Sequence, residues 1–194
     1  MHRQPIARRN AIGLMAAVSA MLLSGTFLSR VAAAEDSDDD VALMKRFEFL
    51  SQNGNVNCSA EFEASIATMP AETKLQGSCC APMDGPRYLT QIKGIRKYAD
   101  MPEVPPDPYD IPAGMAQKLR PYFDLALNGT EQAAYDFAMA NSDMRGPCCC
   151  QCWRWRVYGG LGKQLIHERR FTGQQLVDLW NIAQGCGGPT AAPK

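Results

Sequence analysis

The sequence predicts an all-α protein, a compact bundle of about five to seven short helices that ends in a helical hairpin. Three observations carry this. Apolar residues recur at three- and four-residue spacing in successive stretches. Residues that cap helices stand just ahead of several of those stretches. Nowhere does the chain sustain the two-residue alternation of a half-buried strand.

The elements follow in order. Leu43, Met44, Phe47 and Leu50 give a first helix over Val41 to Leu50, closed at Asn53-Gly54. Ser59 caps a second over Ala60 to Thr68, with Phe62 and Ile66 on one face, and Pro70 stops it. Asp84 caps a third reaching about Tyr98, with Tyr88, Ile92 and Ile95 inward. Residues 101–112 hold five prolines, which excludes a helix and reads as an extended strap across the domain. Helix resumes after Pro112 with Met115 and Leu119 inward, restarts or kinks at Pro121, and closes at Asn128-Gly129. Thr130 caps the next helix, whose stripe is Ala134, Phe137 and Ala138. The hairpin pairs a helix from about Cys150 to Arg170 (Trp153, Val157, Leu161, Leu165, Ile166) with one from Gly173 to Gln184, capped by Thr172 and ended at Gly185.

Before the first helix the chain reads as a targeting segment. Arg8-Arg9 precede an uncharged stretch, and Ala32-Ala33-Ala34 supplies a small-x-small cleavage signature. Residues 1–34 therefore read as a signal peptide of twin-arginine-like type, the type that exports proteins already folded. Residues 35–40, EDSDDD, read as an acidic disordered leader, and residues 41–194 as a single cysteine-rich helical domain. The expected location is periplasmic or extracellular, with no stable membrane span after cleavage. Cleavage would remove four of the 20 basic residues and none of the 20 acidic ones, leaving a net charge of −4. That balance argues against a nucleic-acid partner.

Cysteine is the outlier of the composition. Eight are present: Cys58, the pair Cys79-Cys80, the cluster Cys148, Cys149, Cys150 and Cys152, and Cys186. Four thiols within five residues cannot all pair among themselves, because disulfide geometry wants Cα atoms about 5–6 Å apart. Pro147 stands where a helix would begin, and a helix N-terminus favours thiolate, the form that binds metals. Cys149 and Cys152, three residues apart, would share one face of that helix. The hairpin arms run roughly 27 and 20 Å, so an antiparallel return brings Cys186 beside Cys152. The QGSCCAPMD loop could complete the site, with Met83 as a soft neighbour or a core residue. Cys58, just before a helix, has no assigned place.

The segment Pro147-Cys148-Cys149-Cys150-Gln151-Cys152 resembles the PCYCGC motif of a family of small exported bacterial proteins. Pro147, Cys148, Cys150 and Cys152 match its fixed positions. Cys149 stands in place of its Tyr and Gln151 in place of its Gly. The resemblance implies an exported, cysteine-rich bacterial protein and supplies no mechanism.

The inventory, rich in thiol and poor in histidine, points to a soft metal ion as ligand, held by Cys148, Cys149, Cys150 and Cys152 with Cys79, Cys80 and Cys186. Copper(I) is favoured, with zinc or another thiophile such as Hg(II) as alternatives. The role would be sequestration, delivery or detoxification, with a metal-delivery or membrane protein as a further partner. Two other readings stay open. Eight thiols could staple an exported domain as disulfides, and the CxxC within Cys149-Cys150-Gln151-Cys152 could serve a thiol-disulfide oxidoreductase. Trp153 occupies the position where haem attachment needs His, and a single histidine, His167, would survive cleavage, so paired-carboxylate or Ser-His-Asp catalysis has no support. No catalytic residue is assigned. His167 reads as an ordinary helix residue and Trp153 as core beside the thiols, while Arg154 and Arg156 read as a solvated face, with an offset to the negative charge of a thiolate cluster as the alternative.

Overall fold

The computed structural model describes residues 24–188. Arg8-Arg9 and most of the signal-like segment lie outside these residues. Among these described residues, those up to Asp40 fall in one unit and those from Val41 in another. The elements are α1 (Ser24–Gln52), α2 (Ala60–Ile66), β1 (Lys74–Gln76), α3 (Gly85–Ile95), β2 (Asp110–Pro112), α4 (Ala113–Leu119), α5 (Gly129–Asn141), α6 (Trp153–Arg169) and α7 (Gly173–Ile182). Short 3-10 turns follow α3 and α4. The all-α expectation holds, with seven α-helices among the described residues. No described helix is long and apolar enough to cross a membrane.

Local chemistry explains most boundaries. Ser59 accepts the N–H of Phe62 and Asp84 that of Arg87, so both expected caps form. Thr172 and Gln175 make a reciprocal capping box at α7. At α5 the cap is Asn128, two residues earlier than the expected Thr130, because Asn128 pairs reciprocally with Glu131. The buried stripe of α5 is accordingly Glu131, Tyr135 and Ala138, and Phe137 is 45% exposed. Glu35 to Asp40, expected to be a loose leader, lie within the bounds of α1.

The Pro-rich strap contains one departure from an all-helical reading. Asp110–Pro112 pairs antiparallel with Lys74–Gln76, setting Leu75 opposite Ile111. Both residues are almost fully buried. Three-residue strands are too short to show alternation, and Pro112 sits at the strand end, where its missing N–H does no harm.

The C-terminal hairpin closes as expected. Arg170 takes the left-handed conformation that ends α6. Trp180 then donates its indole N–H to the Tyr158 carbonyl at 3.1 Å. A Cβ on Gly162 would stand 2.9 Å from the Trp180 ring and 3.0 Å from Leu176, so glycine is what lets the large α7 side chains seat on α6. These antiparallel contacts carry the chain back toward the start of α6. Most of the core gathers here, from Trp153, Val157, Leu161, Leu165, Leu176 and Trp180. A smaller cluster joins Leu50, Tyr88, Ile92 and Tyr109, with Met83 packed against it.

Candidate metal centre

Four chain segments deliver the eight thiols, and each is held by bonds that can be traced. Asn55 acts as an extra strand residue beside β1. Its N–H donates to the Gln76 carbonyl at 3.0 Å, its side chain accepts the Gln76 N–H at 2.8 Å, and its amide donates to the Lys74 carbonyl at 2.8 Å. This sets Cys58 against the loop that leaves β1. That loop turns at Gly77, whose φ of +84° suits glycine, and presents Cys79 and Cys80.

The third segment is the turn ahead of α6. Ser142 accepts the Gly146 N–H at 2.8 Å, and Gly146 lies so close to the Trp155 ring that a Cβ would collide with it. Cys148 to Cys150 lie in this turn, and α6 starts only at Trp153, with Cys152 as its N-cap. The expected sharing of a helical face by Cys149 and Cys152 is therefore corrected. Cys149 is exposed and meets Cys80 at 3.4 Å, whereas Cys152 is buried and meets Cys79 at 4.0 Å. Gly146, at a positive φ of +141°, turns the chain just before these residues, and the helix begins only after them.

The fourth segment carries Cys186, gripped by the polar side of α3. Gln91 donates to the carbonyls of Ile182 and Gln184 at 2.9 and 2.7 Å. Arg87 donates to the Gln184 side chain at 2.6 Å and to the carbonyls of Gly187 and Gly188 at 3.3 and 3.0 Å. The Ala81 N–H donates to the Cys186 carbonyl at 3.0 Å, which ties this segment to the Cys79-Cys80 loop.

Together the thiols form one continuous cluster. Cys58 lies 3.5 Å from Cys80 and 3.4 Å from Cys150, and Cys80 lies 3.3 Å from Cys150 and 3.8 Å from Cys79. Cys58–Cys79–Cys152, Cys58–Cys80–Cys150, Cys80–Cys149–Cys186 and Cys148–Cys149–Cys150 are groups whose Sγ atoms lie within 4.8 Å of one another. None of the eight is in a disulfide. The seven cysteines expected at the site are thus brought together, and Cys58 joins them. Its neighbourhood depends on the side-chain bonds of Asn55, which leave no periodic trace in the sequence. Met83 packs in the smaller core cluster, and His167 pairs with Glu131 at 3.2 Å.

The cluster is graded in depth. Cys148, Cys152 and Cys186 are buried and Cys79 half-buried, while Cys58, Cys80 and Cys149 are exposed. Contacts with Cys148, then with Cys79, lower the Cys186 thiol to about 5. Contacts with Cys148 and Cys152 lower Cys79 to about 6. Cys148, as the donor among them, is pushed up. Burial is the main cause that raises Cys58 and Cys80. The α6 N-terminus adds its positive end at Cys152.

Arg154 is the cation of this region. Its side chain is 1% exposed rather than on a solvated face, and it donates to the carbonyls of Pro108 and, at 2.7 Å, Gly77. Burial works against its charge, but Cys79, Tyr158, Cys148 and Cys186 outweigh that and raise it. The guanidinium also lies 4.6 Å from the centre of the Trp153 ring. Arg156, by contrast, pairs with Glu63 at 2.6 Å.

Chemically, this is an all-sulfur donor set with a buried positive charge beside it and one face open to solvent. Such a set prefers soft ions over oxygen-seeking ones. A metal–sulfur bond of about 2.3 Å places the sulfurs of a tetrahedral site about 3.8 Å apart, which falls among the separations seen here. No family model, no curated protein and no solved structure matches the chain.

Proposed function

We propose that this chain is an exported bacterial protein that binds a soft metal ion through clustered thiolates, copper(I) in preference to zinc, to sequester, deliver or detoxify it. One observation carries the reading. Eight thiols from four separate segments converge on one another, with contacts of 3.3–4.0 Å and no histidine or carboxylate in the groups they form. Folding has to hold these sulfurs together against their mutual crowding, and a shared ligand is the chemistry that rewards it. The all-thiolate set and the absence of a Cys/His pattern support copper(I) or a similar thiophile over a structural zinc.

Export rests on the signal-like segment and on the PCYCGC resemblance, which supports placing the chain in that family of exported proteins. A twin-arginine route would carry the protein across already folded, with its ion in place. The exposed thiols are then where a delivery partner would exchange the ion. The oxidoreductase reading loses support, because Cys149 and Cys152 meet different partners and do not form a dithiol of their own at a helix start.

Native mass spectrometry of the folded protein, purified without oxygen and repeated after denaturation, tests this. The expected result is a mass excess equal to one or more metal ions, lost on denaturation. A metal-free mass short by about two daltons per cysteine pair would replace the metal reading with a disulfide-stapled domain.

A further inference from the structure

We infer that the eight thiols hold one polynuclear cluster of three-coordinate monovalent soft ions, with a capacity of four, in which Cys58, Cys80, Cys149 and Cys150 bridge ions and Cys79, Cys148, Cys152 and Cys186 cap them. This rests on the soft-metal reading and specifies the ligand of that same site.

Eight thiols are too many for one ion, which takes three or four. Two independent sites would require two groups of thiols set apart, and the geometry is otherwise. Cys79 and Cys80 touch at 3.8 Å, and Cys80 touches both Cys149 and Cys150. Bond geometry narrows the choice further. At a metal–sulfur length of about 2.3 Å, a linear two-sulfur site would separate its sulfurs by about 4.6 Å, and a trigonal one by about 4.0 Å. The contacts between Cys58, Cys80, Cys149 and Cys150 are 3.3–3.5 Å, which departs furthest from the linear separation and lies nearer those of three- and four-coordinate ions.

The four groups of three give the assignment. Cys58, Cys80, Cys149 and Cys150 each belong to two of them, and Cys79, Cys148, Cys152 and Cys186 each to one. Four three-coordinate ions need twelve ligand positions. Four bridging thiolates and four terminal ones supply that number. Four zinc ions at four ligands each would need sixteen, beyond what this sharing provides. Burial follows the same division. The three buried cysteines, Cys148, Cys152 and Cys186, are all caps, the three exposed ones, Cys58, Cys80 and Cys149, are all bridges, and Cys79 and Cys150 are alike in being half-buried. Each thiol gives up its proton to solvent as it is ligated, and no electron changes hands. Eight thiolates and four monovalent ions leave a negative cluster, and Arg154 is the buried cation beside it.

The test is a titration of the reduced full chain with copper(I), held in acetonitrile without oxygen and read by native mass spectrometry, with X-ray absorption of the product. The expected result is four copper ions, with the four-copper species growing directly at the expense of the apoprotein, and a copper–copper scattering path. Three ions would still need nine positions from eight thiols and so also support bridging. One or two ions, with no copper–copper path, would overturn the cluster while leaving the soft-metal reading intact. No bound copper on free thiols would overturn both. The exposed variant C149S, its fold checked by circular dichroism, is expected to bind fewer ions than the native chain. An unchanged count of four would overturn the bridging assignment.

Discussion

The N–H of Ala81 and the carbonyl of Cys186 are joined by a 3.0 Å hydrogen bond, and the next residue, Gly187, approaches Ala81 so closely that a Cβ there would overlap the Ala81 carbonyl. Gly187 also has φ of +76°, a conformation that costs other residues about 1–2 kcal/mol. The substitution G187A is therefore expected to shift Cys186 away from the Cys79 loop and weaken metal binding with every thiol still present. Competition for copper(I) against a chelator of known affinity measures this. Unchanged affinity would show that the Cys186 segment does not need this close approach.

Arg154 invites a charge test. R154M would leave the Gly77 and Pro108 carbonyls without their donor, and an unsatisfied buried acceptor costs about 1–3 kcal/mol. The metal-free protein is expected to lose about that much for each carbonyl left unpaired. R154K, which keeps the charge but not the forked geometry, should fall between the two. Urea unfolding under reducing conditions gives these values.

Asp107 predicts a pH effect outside the thiol site. Burial raises its carboxyl, against the bonds it accepts from the Tyr109 N–H and the Tyr88 hydroxyl, each at 2.8 Å. A carboxyl raised in the folded state binds its proton more tightly there than in the unfolded chain. Its contribution is thus complete below the ordinary carboxylate range, near about 4, and is lost as pH rises through the higher folded value. D107N should remove that loss. Denaturant midpoints compared across this window are expected to be flatter with pH in D107N than in the native chain.

Metal should stabilise the fold by mass action. If only the folded chain binds the metal, free ion at a hundredfold excess over its dissociation constant adds about 2.7 kcal/mol for a single bound ion, and further ions add to it. Differential scanning calorimetry is expected to show a higher Tm with copper(I) and a return to the metal-free value with a thiol-competing chelator. Equal Tm in both states would mean that the thiols do not bind the ion as a folded unit.

The parts of the molecule written in local chemistry were legible in the sequence. Ser59, Asp84 and Thr172 cap helices because a side-chain oxygen meets an N–H three residues on, and the α6–α7 return brings Cys186 home because helix length is fixed per residue. Most of what escaped depends on partners far along the chain, and the α5 cap is the local exception. Asn128 took the cap of α5 from Thr130 because Glu131 was there to reciprocate. The strand at Asp110–Pro112 exists only because Lys74–Gln76 lies beside it. Arg154 reads as a surface residue until the carbonyls of Gly77 and Pro108 surround it. Cys58 joins the site through bonds that Asn55 makes 19 and 21 residues away.

The span of the thiol cluster sets an order of events. Cys58 meets Cys150 across 92 residues, and Cys79 meets Cys152 across 73. Contacts so distant form late, after local helices and the core have closed the intervening chain. Neighbours such as Cys79-Cys80 or Cys149-Cys150 are together from the moment of synthesis. An oxidant reaching the chain before it folds would find eight thiols with about 105 ways to pair. The native arrangement thus depends on timing. Folding that finishes before oxidation begins would keep these thiols in the partnerships the fold gives them, whereas earlier oxidation would trap neighbours together.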